Sequence, residues 1–134
     1  CRIAAGYLGT RLAKRRPLWD FSAQDSRLTE VGLQALWLIC DKNEKLQHLN
    51  LKGCTQLTDA VLGSCRKNNP MLSLLSTQHC SQLSDDAFVA LASACWRLRV
   101  VNLSYCPSVG NRTMVALAQN CRSLELRVVW QKKA

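Results

Sequence analysis

The sequence predicts an α/β solenoid, with parallel β-strands on a concave face, helices on the convex face and about four to five stacked units. Three observations carry this. One spacing recurs: Leu46, Leu72 and Leu98 lie 26 residues apart, as do Cys54, Cys80 and Cys106, and also Leu57, Leu83 and Val109. Asp59, Asp85 and Asn111 keep the step, as do Leu62, Phe88 and Met114. Within each period an alternating stretch is followed by an apolar stripe at i, i+3, i+4, so a strand and then a helix is expected. No single period can bury its own apolar face, and stacked neighbours must supply the core.

Taken in order, residues 1–17 (CRIAAGYLGTRLAKRRP) read as a basic helical segment. A first strand is expected in LWDFSA, with Leu18, Phe21 and Ala23 at the inward positions. SRLTEVGLQALWLIC then matches QLTDAVLGSC at an offset of 29, which reads as DKNEK adding three residues before Leu46. In the first full unit Leu49 and Leu51 share one strand face, with His48, Asn50 and Lys52 on the other. The cysteine column falls at the turn that follows, where a thiol tolerates burial and donates weakly to freed backbone groups. The TD and SDD sequences read as helix N-caps, with Asn111 or Thr113 in that role in the third unit.

Helices are expected over 60–68, 85–95 and 112–121. Phe88, Leu91 and Ala92 form the inward stripe, repeated by Met114, Leu117 and Ala118 and, more weakly, by Leu62 and Cys65. Pro70 forbids continuation of the first of these helices. Leu124, Leu126, Val128 and Trp130 alternate as a closing strand, and 131–134 form a solvated tail. The repeat domain therefore spans 18–130. Thr77 interrupts the column of Leu51 and Leu103 and reads as a local core defect. Trp37 sits in a helical stripe and is expected in the core, with Trp96 at a helix end on the convex side.

Composition narrows the class. The 134 residues are 48% hydrophobic and 20% charged, with a net charge of +9, which fits a soluble domain. No apolar run is long enough to span a membrane. The chain opens without Met and without a secretory h-region, which suggests a fragment or trimmed chain. Arg2, Arg11, Lys14, Arg15 and Arg16 cluster at the N-terminus with no acid among the first 16 residues. Most of the eight cysteines occupy repeat-locked columns and no CxxC pair occurs, so reduced structural thiols are expected. Neither a metal site nor a cofactor is expected. His48 and His79 are the two histidines and fall in different columns. A Cys–His dyad would need a thiolate at the buried turn, so no enzyme is expected.

The expected contact surface is the polar strand face. Its rows are His48, Leu74 and Val100; Asn50, Ser76 and Asn102; and Lys52, Gln78 and Ser104. His79, Tyr105 and Arg127 stand at its edge. With Lys52 and Arg127 as its cations this face suits a peptide or protein, and nucleic acid is not expected as a partner.

The unit L-x-x-L-x-L-x-x-C-x-x-L-[T/S]-D resembles the cysteine-containing leucine-rich repeat class, over residues 18–126. That class is typical of F-box leucine-rich repeat proteins, the substrate receptors of cullin–RING ubiquitin ligases. The opening segment is similar to the end of an F-box, C-R-x-x-x-x-W-x-x-L-A-x-x-x-x-L-W. Cys1 and Arg2 open it, Tyr7 stands for the Trp, and Leu12 and Ala13 precede Leu18 and Trp19, with the segment two residues longer than the usual form. The resemblance implies an interaction protein of the ubiquitin-like conjugation pathway, cytoplasmic or nuclear. It binds a substrate, and an F-box upstream would bring a Skp-type adaptor and a cullin. The alternative is a structural or assembly subunit of a larger complex. Short cysteine-type repeat proteins also resemble mitochondrial assembly factors, and an Arg-rich, acid-poor N-terminus fits import.

Overall fold

A computed structural model describes residues 20–23, 30–124 and 127–129. The segments 1–17 and 131–134, with Leu18, Trp19, Leu126 and Trp130, lie outside the described residues. Five short strands, β1 (Asp20–Ser22), β2 (His48–Asn50), β3 (Leu74–Ser76), β4 (Val100–Asn102) and β5 (Arg127–Val129), form one parallel sheet in chain order. Between them lie α1 (Glu30–Lys42), α2 (Asp59–Asn68), α3 (Asp85–Ala94) and α4 (Asn111–Asn120), each packed on the next.

The strand register follows the sequence period. Leu49 pairs with Leu75 and Leu75 with Val101, and all three are buried. Phe21 continues this inner row at one end, and Val128 pairs with Val101 at the other. Burial of each such aliphatic side chain is worth about 1.5–3 kcal/mol, so a one-residue slip would expose the whole row. The step from Val101 to Val128 is 27 residues, although Leu98 to Leu124 is still 26.

Where the first helical unit differs in length, the extra residues are not in DKNEK. Helix α1 has 13 residues and α2 has 10, so the insertion is close to one helical turn. Beyond α1 the 26-residue step already holds. The Leu46 amide donates to the Asn43 carbonyl at 3.0 Å, as Leu72 does to Asn69, Leu98 to Cys95 and Leu124 to Cys121.

Two ladders of polar side chains bind one repeat to the next. In the first, the Cys54 thiol donates to the Ala23 carbonyl at 3.0 Å, Cys80 to Leu51 at 3.1 Å and Cys106 to Thr77 at 3.0 Å. Each thiol satisfies a carbonyl just beyond the preceding strand. In the second, Asn43, Asn69, Cys95 and Cys121 occupy the helix C-cap column. Asn69 Nδ2 donates to the carbonyls of Cys40 (2.9 Å) and Asn43 (2.8 Å) at the end of α1, the second of which also accepts from the Leu46 amide. The Cys95 thiol does the same for Cys65 and Asn69, and Cys121 for Ala92 and Cys95, at 3.5–3.8 Å. Thr77 is no core defect: it is fully buried, and its hydroxyl lies 3.5 Å from the Asn102 carbonyl and 3.9 Å from the Cys106 thiol.

The helix caps differ from the expectation. Ser84 caps α3 by accepting from the Ala87 amide, but Thr58 makes no such bond before α2. Neither Asn111 nor Thr113 caps α4. Its N-cap is Gly110, and the cap is supplied by the preceding repeat: Asp85 accepts from the amides of Gly110 (3.1 Å) and Thr113 (3.2 Å) and from the Thr113 hydroxyl (2.5 Å). The inward face of α4 is Thr113, Ala116 and Leu117, with Met114 half-buried and Ala118 exposed. Ala92, one repeat earlier, is buried, and among the described residues no helix follows α4 to cover Ala118 in the same way. Trp37 is 43% exposed rather than in the core, and Trp96 is 52% exposed beneath the Arg97 guanidinium.

Candidate functional site

The strand face turned away from the core presents the rows read from the sequence. The register aligns Asp20, His48, Leu74, Val100 and Arg127, and then Ser22, Asn50, Ser76, Asn102 and Val129. Arg127 therefore stands at the start of its strand, in the row of His48, and not at the far edge with His79 and Tyr105. His48, Leu74, Val100, Ser76, Lys52 and Gln78 are half-buried.

The two asparagines serve the backbone first. Asn50 Oδ1 accepts from the Lys52 amide at 3.1 Å, and Asn102 Oδ1 from the Ser104 amide at 3.0 Å. Each side chain thus closes its own strand end, which short Asn side chains do well. Asn102 Nδ2 also donates to Gln78 Oε1 at 3.0 Å, fixing one carboxamide against the other. Ser104, expected on the open face, is 2% exposed. Its carbonyl accepts from the His79 amide at 3.0 Å, as the Gln78 carbonyl does from the Gly53 amide at 2.8 Å, so the ladder continues past the strand.

After β2, β3 and β4 the chain makes the same four-residue turn. The Cys54 amide donates to the Leu51 carbonyl, Cys80 to Thr77 and Cys106 to Leu103. The third turn residue has positive φ in all three: 78° at Gly53, 64° at His79 and 59° at Tyr105. Glycine suits this position, whereas a side chain costs about 1–2 kcal/mol. Two rings accept that cost side by side. His79 and Tyr105 are stacked, with centroids 4.5 Å apart and planes 5° apart. The separation is close to the spacing of neighbouring strands, about 4.8 Å, so the repeat itself sets the stack. His79 is exposed and Tyr105 half-buried. Gly53 in this column was the available sequence signal for the strained position.

Cys65, Cys80, Cys95, Cys106 and Cys121 are not poised as nucleophiles. All seven described cysteines are free and buried. Burial, with Cys106 and Cys54 nearby, pushes the Cys80 thiol up to about 12. Burial, with Cys121 nearby, pushes Cys95 up to about 12, and burial alone takes Cys121 to about 11. Cys65 is raised by its contact with Cys40 and by burial, and burial raises Cys106 against a lowering contact from Thr77. These thiols stay protonated at neutral pH and act as donors. Among the described residues no group of three or more His, Cys, Asp or Glu side chains is arranged to hold a metal ion, and no helix is long and apolar enough to cross a membrane. Neither a protein-family model nor a curated protein sequence matches the chain.

Proposed function

We propose that this chain is a leucine-rich repeat solenoid whose concave strand face recognises a protein. In this reading it serves substrate recognition in a cullin–RING ubiquitin ligase complex. The observation that carries it is the chemistry repeated from strand to strand: buried aliphatic rows behind, a polar row in front, and a thiol at each turn after β2, β3 and β4 donating to the repeat before. Such an array offers a surface that grows by repetition and binds by extended contact. The F-box-like residues Cys1, Arg2, Tyr7, Leu12, Ala13, Leu18 and Trp19 favour the ligase assignment over other protein-binding roles.

Affinity capture of the full-length protein from cell lysate, followed by mass spectrometry, tests this. A Skp-type adaptor and a cullin are expected among the retained proteins. A fixed set of subunits from one assembly, with neither of those present, would replace the ligase reading with that of a structural or assembly subunit.

A further inference from the structure

Five of the seven described cysteines share one task. The thiols of Cys54, Cys80, Cys95, Cys106 and Cys121 each donate to a backbone carbonyl of the preceding repeat. Cys40 and Cys65 stand outside both ladders. The Cys65 thiol is directed at the Cys40 sulfur, 3.8 Å away, and both side chains are fully buried. At the 26-residue step after Cys65 come Leu91 and then Leu117, both buried. In the later repeats an aliphatic side chain fills this place. Between α1 and α2 two thiols meet there instead.

The backbones that carry the two sulfurs are tied beside them. Asn69, one turn beyond Cys65, donates through Nδ2 to the Cys40 carbonyl at 2.9 Å, and Asn68 Nδ2 donates to Asp41 Oδ1 at 3.0 Å. These bonds hold α1 and α2 in register at the pair. A disulfide needs about 2.05 Å between sulfurs, so the closing movement from 3.8 Å is about 1.8 Å.

We infer that Cys40 and Cys65 are a redox modification site, oxidised by hydrogen peroxide to a disulfide that staples α1 to α2. Peroxide is little larger than water, which suits a packed pair that bulkier oxidants do not reach. One sulfur, as thiolate, attacks a peroxide oxygen. The O–O bond breaks, hydroxide leaves and a sulfenic acid forms. The second thiol then attacks that sulfur. The S–S bond forms, the S–O bond breaks, and the hydroxyl leaves as water with the thiol's proton. In all, two thiols give up two electrons and two protons, and one peroxide becomes two waters. Contact with Cys40 and burial hold the Cys65 thiol well above its ordinary 9.0, so the pair answers to sustained oxidant and not to a brief pulse. The closed loop runs from 40 to 65, and cross-linking it removes freedom from the unfolded chain. The site does not depend on the protein-recognition reading.

The test exposes the full chain at neutral pH to a molar excess of hydrogen peroxide, removes the oxidant with catalase, and alkylates with iodoacetamide in urea before proteolysis and mass spectrometry. A linked pair of peptides joining Cys40 to Cys65 is expected, with fragmentation separating Cys65 from the nearby Cys54. The other five described cysteines are expected to be alkylated. The thermal midpoint is expected to rise by roughly 5–10 °C on oxidation. Millimolar glutathione is expected to restore the reduced midpoint, because a bond closed against packing is the more easily reduced. Cys65→Leu, which installs the side chain of the later repeats, and Cys65→Ala are each expected to abolish both the link and the rise, so either variant that melts cooperatively in reductant serves as the control. Absence of the Cys40–Cys65 link from the oxidised wild type would overturn the inference. So would comparable yields of links among the other cysteines, a link that forms only once urea is present, or a midpoint that falls on oxidation.

Discussion

The Asp85 carboxylate holds the Thr113 hydroxyl at 2.5 Å and the Thr113 amide at 3.2 Å, so the first residue of one helix caps the next. Asp59 does the equivalent for Ser84, accepting from its amide at 2.8 Å and its hydroxyl at 2.7 Å. An aspartate conventionally placed to favour its own helix N-terminus is used here to brace the neighbouring repeat.

Acid should therefore loosen the C-terminal repeat. Burial works to raise the Asp85 pKa. The Thr113 hydroxyl, the Gly110 and Thr113 amides and Arg112 outweigh it, and the group lies below its ordinary 3.8. A depressed carboxylate stabilises the fold above its unfolded value, and that contribution is lost as pH falls through the folded value. Urea midpoints should thus drop below about pH 4. Asp85→Asn should cost about 1 kcal/mol at neutral pH and flatten the acid slope. An unchanged slope would contradict the cap.

Alkali should act through the thiols. Cys80 and Cys95 rise from 9.0 to about 12 in the folded chain. Raised thiols contribute stability below pH 9 that disappears as pH climbs towards 12. Thermal midpoints should decline steadily over that interval, and a thiol reagent at pH 8 should label the described cysteines only after denaturant is added. Cys80→Ala removes one of two donors from the Leu51 carbonyl, which keeps the Cys54 amide, and should cost about 1 kcal/mol.

The C-cap column predicts its own rescue. Asn69 is fully buried and donates to two carbonyls of the preceding repeat. Asn69→Ala should destabilise the chain by about 1–3 kcal/mol, because the Cys40 carbonyl loses this donor and the Asn43 carbonyl keeps only the Leu46 amide. Asn69→Cys should recover part of the loss, since Cys95 and Cys121 occupy the equivalent places with thiol donors. Chemical denaturation of the three forms provides the comparison.

At the strained turn the usual ranking of alanine and glycine should reverse. Alanine at 79 or 105 keeps the positive φ and removes the stack, whereas glycine removes both strain and stack. His79→Gly should therefore exceed His79→Ala in stability by about 1 kcal/mol, and the Tyr105 pair should behave alike. Calorimetric midpoints for the four variants decide the matter.

The strand rows were legible because a two-residue alternation repeated at 26 leaves little freedom in register, and Leu49, Leu75 and Val101 lie where that spacing put them. The helices follow their stripes to within a residue or two for the same reason. What crosses between repeats was not legible. A conserved-looking Asp at 59 and 85 signals that an acceptor is wanted, but not that its donors lie 25–28 residues later. Exposure was misread where it depends on neighbours and not on the local pattern. Trp37 and Ala118 sit in apolar stripes yet reach solvent, and Ser104 sits in a polar row yet is buried. The polar face itself was read row by row, but the backbone role of Asn50 and Asn102 needed atomic distances.

The central claim is that the strand face and its turns recognise a protein. It is tested most directly by comparing what the full-length protein retains from lysate as wild type and as the Lys52→Glu, Gln78→Arg double variant, with equal thermal midpoints established first. The account predicts that a Skp-type adaptor and a cullin accompany both forms, and that at least one further protein is lost from the variant. Identical sets of retained proteins from the two forms would contradict it.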